Sequence, residues 1–199
     1  IEAALASPDK LVFAVAQKEN LEAVTADGLH SIGTIAKIGQ LQRGMSGMQL
    51  LLHGERRAMA LQVVEENGHL MAVVRDMDDM PPVDEQDPNF IALHRELRAR
   101  AAELGQKSGL PEEVVTQVLN GIDEPGRFAD LVAGYLDLDT AGRQTLLETL
   151  AVDERLRRVL VHVQRQISVL DAQEDIKSQV QEELGDRQRE IYLREQLKT

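Results

Sequence analysis

The run Met80-Pro81-Pro82-Val83-Asp84-Glu85-Gln86-Asp87-Pro88 constrains this chain more than any other, because apolar periodicity changes across it. Proline has no backbone N–H to give to a helix or a sheet interior, so this run interrupts both kinds of element. Before it, apolar residues come in short alternating stretches separated by turn residues. After it, they recur every three or four positions. One chain therefore carries two architectures: a β-rich module over 1–80, a linker over 81–88, and a helical region over 89–199.

In the first part, Leu11-Val12-Phe13-Ala14-Val15-Ala16 is an unbroken apolar run and reads as a buried strand. From Ile32 to Leu41 the alternation puts Ile32, Thr34, Ala36 and Ile38 on one face and Lys37 on the other. Arg43-Gly44-Met45-Ser46-Gly47 is a turn signal, and Met48-Gln49-Leu50-Leu51-Leu52 is the return strand. Met59, Leu61 and Val63 alternate again. Asn67-Gly68 then supplies a hairpin turn, since both residues tolerate positive φ, and 70–75 is the partner strand. Strands this short, joined by tight turns, predict a small antiparallel sheet or open barrel.

Asp87-Pro88 is both the end of the linker and a helix start, a capping carboxylate followed by proline at the first helical position. Phe90, Leu93, Leu97, Ala101 and Leu104 then fall on one helical face. Pro111 opens a second helix with Val114, Val115, Val118 and Leu119. Phe128, Leu131, Val132 and Tyr135 mark a third, and Leu146, Leu147 and Leu150 a fourth, with a cap expected at Thr140. From Asp153 the pattern is one long helix with an apolar stripe of Leu156, Val159, Leu160, Val163, Ile167 and Leu170. Beyond Asp171 the stripe thins to Ile176, Val180 and Leu184 among many charges, so the far half needs partner helices to cover it. The fold class is α+β: a small antiparallel, open barrel-like module followed by a helical bundle ending in a long helix.

Composition excludes several functions. A formal net charge of −12 repels a phosphate backbone, and with no Trp, three Phe and two Tyr there are few platforms on which bases could stack. Nucleic acid is therefore a poor partner. No apolar run is long enough to span a bilayer, and Ile1-Glu2-Ala3-Ala4-Leu5-Ala6 lacks the basic flank of a signal peptide. Without cysteine there is no disulfide, thiolate metal site or thiol nucleophile. Gly105-Gln106-Lys107-Ser108-Gly109 imitates part of a phosphate-binding loop but lacks the preceding strand and the glycine before lysine, and reads as a helix end with a glycine stop. Gly44-Met45-Ser46-Gly47 has its second glycine one position too early for a nucleophile elbow. The histidines, His30, His53, His69, His94 and His162, have no metal-ligand spacing. Asp78-Asp79 and Glu65-Glu66 read as solvated edges. No cofactor or metal is expected in this chain.

Arg189-Glu190-Ile191-Tyr192-Leu193-Arg194-Glu195-Gln196-Leu197-Lys198 resembles the run that joins the N-terminal region of bacterial-type Lon proteases to their ATPase module. Leu147-Glu148-Thr149-Leu150 with Asp153-Glu154-Arg155-Leu156 resembles the family's entry into its long helix. Asp9-Lys10-Leu11-Val12-Phe13-Ala14-Val15-Ala16-Gln17-Lys18 resembles its first strand after its first helix, and Ile32-Gly33-Thr34-Ile35-Ala36-Lys37-Ile38 its next strand. Gly54 with Arg57-Ala58 matches a glycine and arginine-alanine turn. Two features depart from the pattern. The family begins with a proline- and valine-rich strand, whereas this sequence starts within the following helix, so preceding residues are expected to be omitted. The Gly44–Gly47 tip also replaces a proline-aspartate-glycine tip.

The resemblance implies a cytoplasmic ring enzyme, usually a hexamer, using ATP and Mg, with an ATPase motor and a serine–lysine peptidase further along. Its N-terminal region would capture unfolded or tagged proteins and help hold the ring together. On that expectation the substrate-binding candidates are Met45 and Met48 at the hairpin tip with Leu50, Leu51 and Leu52, and Leu21, Val24 and Leu29 in the loop 20–30. The competing expectation is that the methionines fold back onto the sheet and that the loop residues pack in the core. For the stripe of Ile176, Val180, Leu184, Ile191 and Leu197, contact between subunits is preferred to packing within one chain. A purely structural role in ring assembly and a polyanion- or DNA-binding role are the alternatives.

Overall fold

In the computed structural model, which describes residues 1–197, the chain packs as two units. The first comprises 1–83 with 138–155, and the second comprises 84–137 with the described residues from 156 onward. Lys198, the last residue of the run that resembles the Lon family's, lies outside the described residues. Helical periodicity alone gave no sign that 138–155 packs with the sheet.

The first unit begins with a short helix α1 (Glu2–Ala6) and holds a four-stranded antiparallel sheet in the order β1-β2-β3-β4. Its strands are β1 (Leu11–Ala14), β2 (Ile32–Gly44), β3 (Gly47–Glu66) and β4 (His69–Asp76). Asn67 and Gly68 turn the last hairpin with φ of 51° and 77°, as the Asn-Gly pair predicts. The run from Leu11 is half-buried and its strand ends at Ala14, sooner than the apolar run suggests. In β2 the buried residues are Gly33, Ile35, Ala36 and Ile38, which corrects the simple alternation of Ile32, Thr34, Ala36 and Ile38. Neighbouring strand residues point to opposite faces, so burial of both Ile35 and Ala36 means cover on both sides there. At that point the ladder also shifts register, with Glu55 as the extra residue of β3.

A second correction concerns β3. The sequence suggests a turn at Gly54 and Arg57-Ala58 between two strands, but β3 runs through it for 20 residues. Its lower half pairs with β2 and its upper half with β4, and only Ala58 and Met59 have ladder partners on both sides. Ala58 is completely buried there. Gly54 serves close approach, since a Cβ would lie 3.2 Å from the Thr34 methyl. Each end of β3 is thus one strand of a two-stranded ribbon.

The helix α5 (Thr140–Glu148) and the start of α6 (Val152–Gln196) complete this unit. Asp139, one residue before the expected Thr140, caps α5 by accepting from Gly142 N at 2.7 Å. Gln144 Nε2 donates to Ile32 O (2.9 Å), and Arg57 Nε donates to Leu147 O (2.9 Å). After β4, Met80 N donates to Leu150 O and Met80 O accepts from Val152 N. The guanidinium of Arg155 is fully buried; its Nη1 donates to Asp79 Oδ1 and Thr149 O, both at 3.0 Å, and its Nη2 to Asp79 Oδ2. Arg57 Nη1 lies 3.5 Å from the same carboxylate. Asp79 is therefore a structural partner, which corrects its reading as a solvated edge.

The second unit contains α2 (Pro88–Lys107), α3 (Glu112–Asn120), α4 (Pro125–Gly134) and α6 from Leu156 onward. Asp87 caps α2 by accepting from Asn89 N at 2.8 Å, with proline at the first position as expected. Its far end is closed by Gly109 at φ 84°. The core is Leu97, Ala101, Leu104, Val115, Phe128, Ala129, Val132, Leu136 and the α6 residues Leu156, Val159, Val163 and Ile167. Tyr135, assigned to the apolar face by periodicity, is exposed. Arg98 closes the end of α3: it donates to Leu119 O (2.9 Å) and Ile122 O while its guanidinium carbon lies 4.3 Å over the Phe128 ring. Its Nε donates to His94 Nε2 at 3.3 Å, which requires a neutral imidazole.

Two stability predictions follow from these contacts. Asp79→Ala leaves the Arg155 charge buried without its carboxylate and should cost about 3 kcal/mol. Arg155→Met should cost less, because Asp79 keeps Arg57 and some water. Urea denaturation of the two variants will rank them, and the reverse order would contradict the proposed clamp. In the second unit, burial, and then the Arg98 charge, lower the His94 pKa, opposed by Asp123. The unfolded chain then takes up the proton first, so this contribution is complete above about pH 6.5 and is lost as pH falls towards the depressed folded value. Between pH 7.5 and 5 the wild-type melting temperature should fall more than that of His94→Gln; parallel profiles would remove His94 from the account.

Candidate functional site

Among the described residues, β2 has no strand on its outer side beyond Ile38, and β3 has none but β2 below Ala58. This leaves a bare two-stranded ribbon of 38–44 against 47–53, with Met45 and Ser46 at the tip. Ribbon register decides which candidates share a face. Met48 stands opposite Arg43, Leu50 opposite Leu41 and Leu52 opposite Ile38. Because side chains alternate, Met48, Leu50 and Leu52 share one face while Leu51 lies on the other with Gln49 and His53. A register shift between Ile38 and Leu41 twists the ribbon at its base.

Solvent exposure follows from the missing layer. Met45 is 110% exposed, Leu51 51%, Met48 43% and Leu52 38%, whereas Leu50 is half-buried. The expectation that the methionines fold back onto the sheet is thus not met at the tip. Gly47, at φ 126°, allows the tight return. The second group of candidates lies on a separate loop: Leu21 and Val24 are exposed, and Leu29 is half-buried where it bridges to Gln17. In the second unit Ile176, Val180, Leu184, Ile191 and Leu197 are all exposed, and no residue of α6 past Leu170 is buried even in part.

A further apolar face escaped the sequence reading. On the β3–β4 ribbon, Gln62 pairs with Val73 and Val64 with Met71, so these four side chains share a face, and Val64, Met71 and Val73 are exposed. The only available signal was that Leu70-Met71-Ala72-Val73-Val74 is apolar at consecutive positions, a pattern that ordinarily indicates burial on both faces.

A polar cleft of about 610 Å³ lies between the loop after β1 and α5, lined by Gln17, Lys18, His30, Gln144 and Glu148 among others. His30 Nδ1 is 3.8 Å from Glu148 Oε1, beyond hydrogen-bond length, and no hydroxyl is held against that imidazole by a hydrogen bond in the described residues. Among these residues no group of three or more His, Asp or Glu side chains could hold a metal ion, and no helix is long and apolar enough to cross a membrane. The arrangement offers exposed apolar ribbons on a fixed base.

Comparison with known proteins identifies the family. The family model described as the ATP-dependent protease La (LON) substrate-binding domain matches residues 1–165. Lon protease 1 of Sorangium cellulosum is 48% identical over 200 aligned residues, covering 100% of this chain and 25% of the relative. Lon protease of Escherichia coli K12 is 30% identical over 100% of the chain and 25% of its own length. The chain therefore spans about a quarter of these relatives. The solved N-terminal domain of Mycobacterium avium complex Lon protease superposes with a TM-score of 0.66 at 29% identity, covering 82% of each chain. The α+β architecture inferred from periodicity is that of this structure. The chain belongs to the Lon substrate-binding domain family and corresponds to the N-terminal part of a Lon protease.

Proposed function

We propose that this chain captures unfolded, damaged or degron-bearing polypeptides through the β2–β3 ribbon and delivers them to an attached ATP-dependent Lon-type serine protease. The observation that carries the reading is the exposure of Met45, Met48, Leu51 and Leu52 on a ribbon with no covering layer. Methionine is flexible and polarizable, so it can meet many apolar sequences without demanding one shape. Folded proteins hide such sequences and unfolded ones display them. Each contact is shallow and weak, and several copies in an assembly add avidity. Leu21, Val24 and the half-buried Leu29 extend the same function as a second contact. In this reading 1–80 recognises, 81–88 links, and 89–199 leads to the motor, where ATP and Mg act.

A second role, in holding subunits of a ring, most simply a hexamer, together, is supported by the exposure of Ile176, Val180, Leu184, Ile191 and Leu197. Both roles fit a cytoplasmic quality-control enzyme. The net charge of −12 counts against DNA or another polyanion as the ligand of this chain.

Replacing Met45 and Met48 together by serine should weaken binding of a fluorescently labelled, permanently unfolded protein several-fold. Each engaged methionine contributes roughly 1–3 kcal/mol of apolar contact when fully buried, and less on a shallow surface. The melting temperature should barely change, because neither side chain belongs to the core. A large fall in stability, or unaltered binding, would move the capture site away from this ribbon. For the helix, amide exchange across 171–197 should be far faster than across 156–170 in dilute solution, and should slow as concentration rises. Protection that is equal in both segments at every concentration would end the subunit-contact reading.

A further inference from the structure

We propose that Met45 is a site of oxidative control: a hydroperoxide converts its thioether to the sulfoxide, turning the ribbon tip polar and weakening capture of unfolded chains. This rests on the reading of the β2–β3 ribbon as the capture surface. Of the six methionines, Met45 alone is fully exposed; Met48, Met71 and Met80 are partly covered, and Met59 and Met77 more so. Its neighbours give no shelter. Gly44 and Gly47 have no side chains, a Cβ at Gly47 would meet nothing within 4 Å, and one at Gly44 would meet only the Gly47 carbonyl at 3.8 Å. The sulfur is therefore open to small oxidants in solution.

The chemistry needs no other protein group. A sulfur lone pair attacks one peroxide oxygen, the O–O bond breaks, and the S–O bond forms. With hydrogen peroxide the departing hydroxide takes up the proton left on the sulfur-bound oxygen and leaves as water (another hydroperoxide leaves as its alcohol), so sulfur loses two electrons and the peroxide gains them. The product replaces a soft apolar contact with a polar, hydrogen-bond-accepting group. Because Met45 buries nothing, the change acts on binding and leaves the fold alone. Met59 is the contrast: it sits at the place where β3 is paired on both sides, so a sulfoxide there would disturb the sheet itself.

The experiment is brief treatment with hydrogen peroxide, peptide mass spectrometry of all six methionines, and binding of fluorescent, reduced and carboxymethylated lactalbumin. Met45 should oxidise first, several-fold faster than Met59 or Met77, and binding should weaken several-fold at an unchanged melting temperature. Methionine sulfoxide reductase should restore it, and whatever binding a Met45→Leu, Met48→Leu variant retains should not fall further on peroxide treatment. Oxidation of Met45 no faster than of Met59 would overturn the site. Undiminished binding after oxidation, in a protein whose Met45→Ser, Met48→Ser variant binds poorly, would overturn the control while leaving capture intact. Undiminished binding in both would overturn the ribbon reading together with its control.

Discussion

A guanidinium removed from water is tolerated only where a carboxylate and carbonyls are already placed to receive it. In the first unit Arg155 imposes that demand on three segments at once. Asp79, three residues past β4, supplies the carboxylate; Thr149, at the end of α5, supplies a carbonyl; and Arg57, in β3, lies against the same carboxylate. Met80 then bonds on both sides of Ala151, in a parallel bridge that only this placement permits. A buried ion pair contributes little net stability relative to an apolar pair of the same volume, but it admits few alternative placements. Its contribution here is register: the exit from the sheet and the entry into α6 are fixed to each other, and α5 is drawn onto β2 and β3.

Fixing the base frees the ends. Once Ala58 and Met59 occupy the centre with partners on both sides, the remaining length of β3 can only continue as two ribbons with one partner each. A two-stranded ribbon has too little surface to bury both faces and is marginal by itself. Its apolar residues are accordingly left in water, and the ribbon persists because its root is anchored in the core around Ile35, Ala36 and Ile38. Exposure of Leu51, Leu52 and Met48 is thus a consequence of topology. A shorter β3 would bring its turns closer to the core and leave less ribbon uncovered.

Local chemistry was legible in the sequence, and pairing across long separations was not. Asn67-Gly68 and Asp87-Pro88 announce a turn and a helix start because the relevant φ angles and donors lie within those dipeptides. For Met45 the sequence left two outcomes open, an exposed tip or a side chain folded back onto the sheet, and only the bare ribbon decides for exposure. The turn at Gly54 was implied by the family resemblance alone; in β3 the glycine instead permits close approach to Thr34, which local sequence does not reveal. Arg155 and Asp79 are separated by 76 residues, so no periodicity links them. The cap at Asp139 was missed by one position, because aspartate and threonine in succession offer the same signal. Val64, Met71 and Val73 were hidden by a strand whose apolar residues are consecutive, which looks the same whether its second face is packed or bare.

The long helix carries a related lesson in its geometry. An α-helix turns about 100° per residue, so the direction of each side chain around α6 follows from its number. Leu156, Val159, Val163, Ile167 and Leu170 cluster about one direction, and their burial shows that this direction faces the second unit's core. Ile176, Val180, Leu184 and Ile191 cluster about another, roughly 100° away by the same arithmetic. A straight helix extending the same contact would keep its apolar residues on one line. The turn of the stripe between Leu170 and Ile176 therefore means that the distal residues are not a frayed continuation of the core. Ile176, Val180, Leu184 and Ile191 form a separate stripe with its own direction, bare among the described residues, while Leu197 falls to one side of it by the same arithmetic.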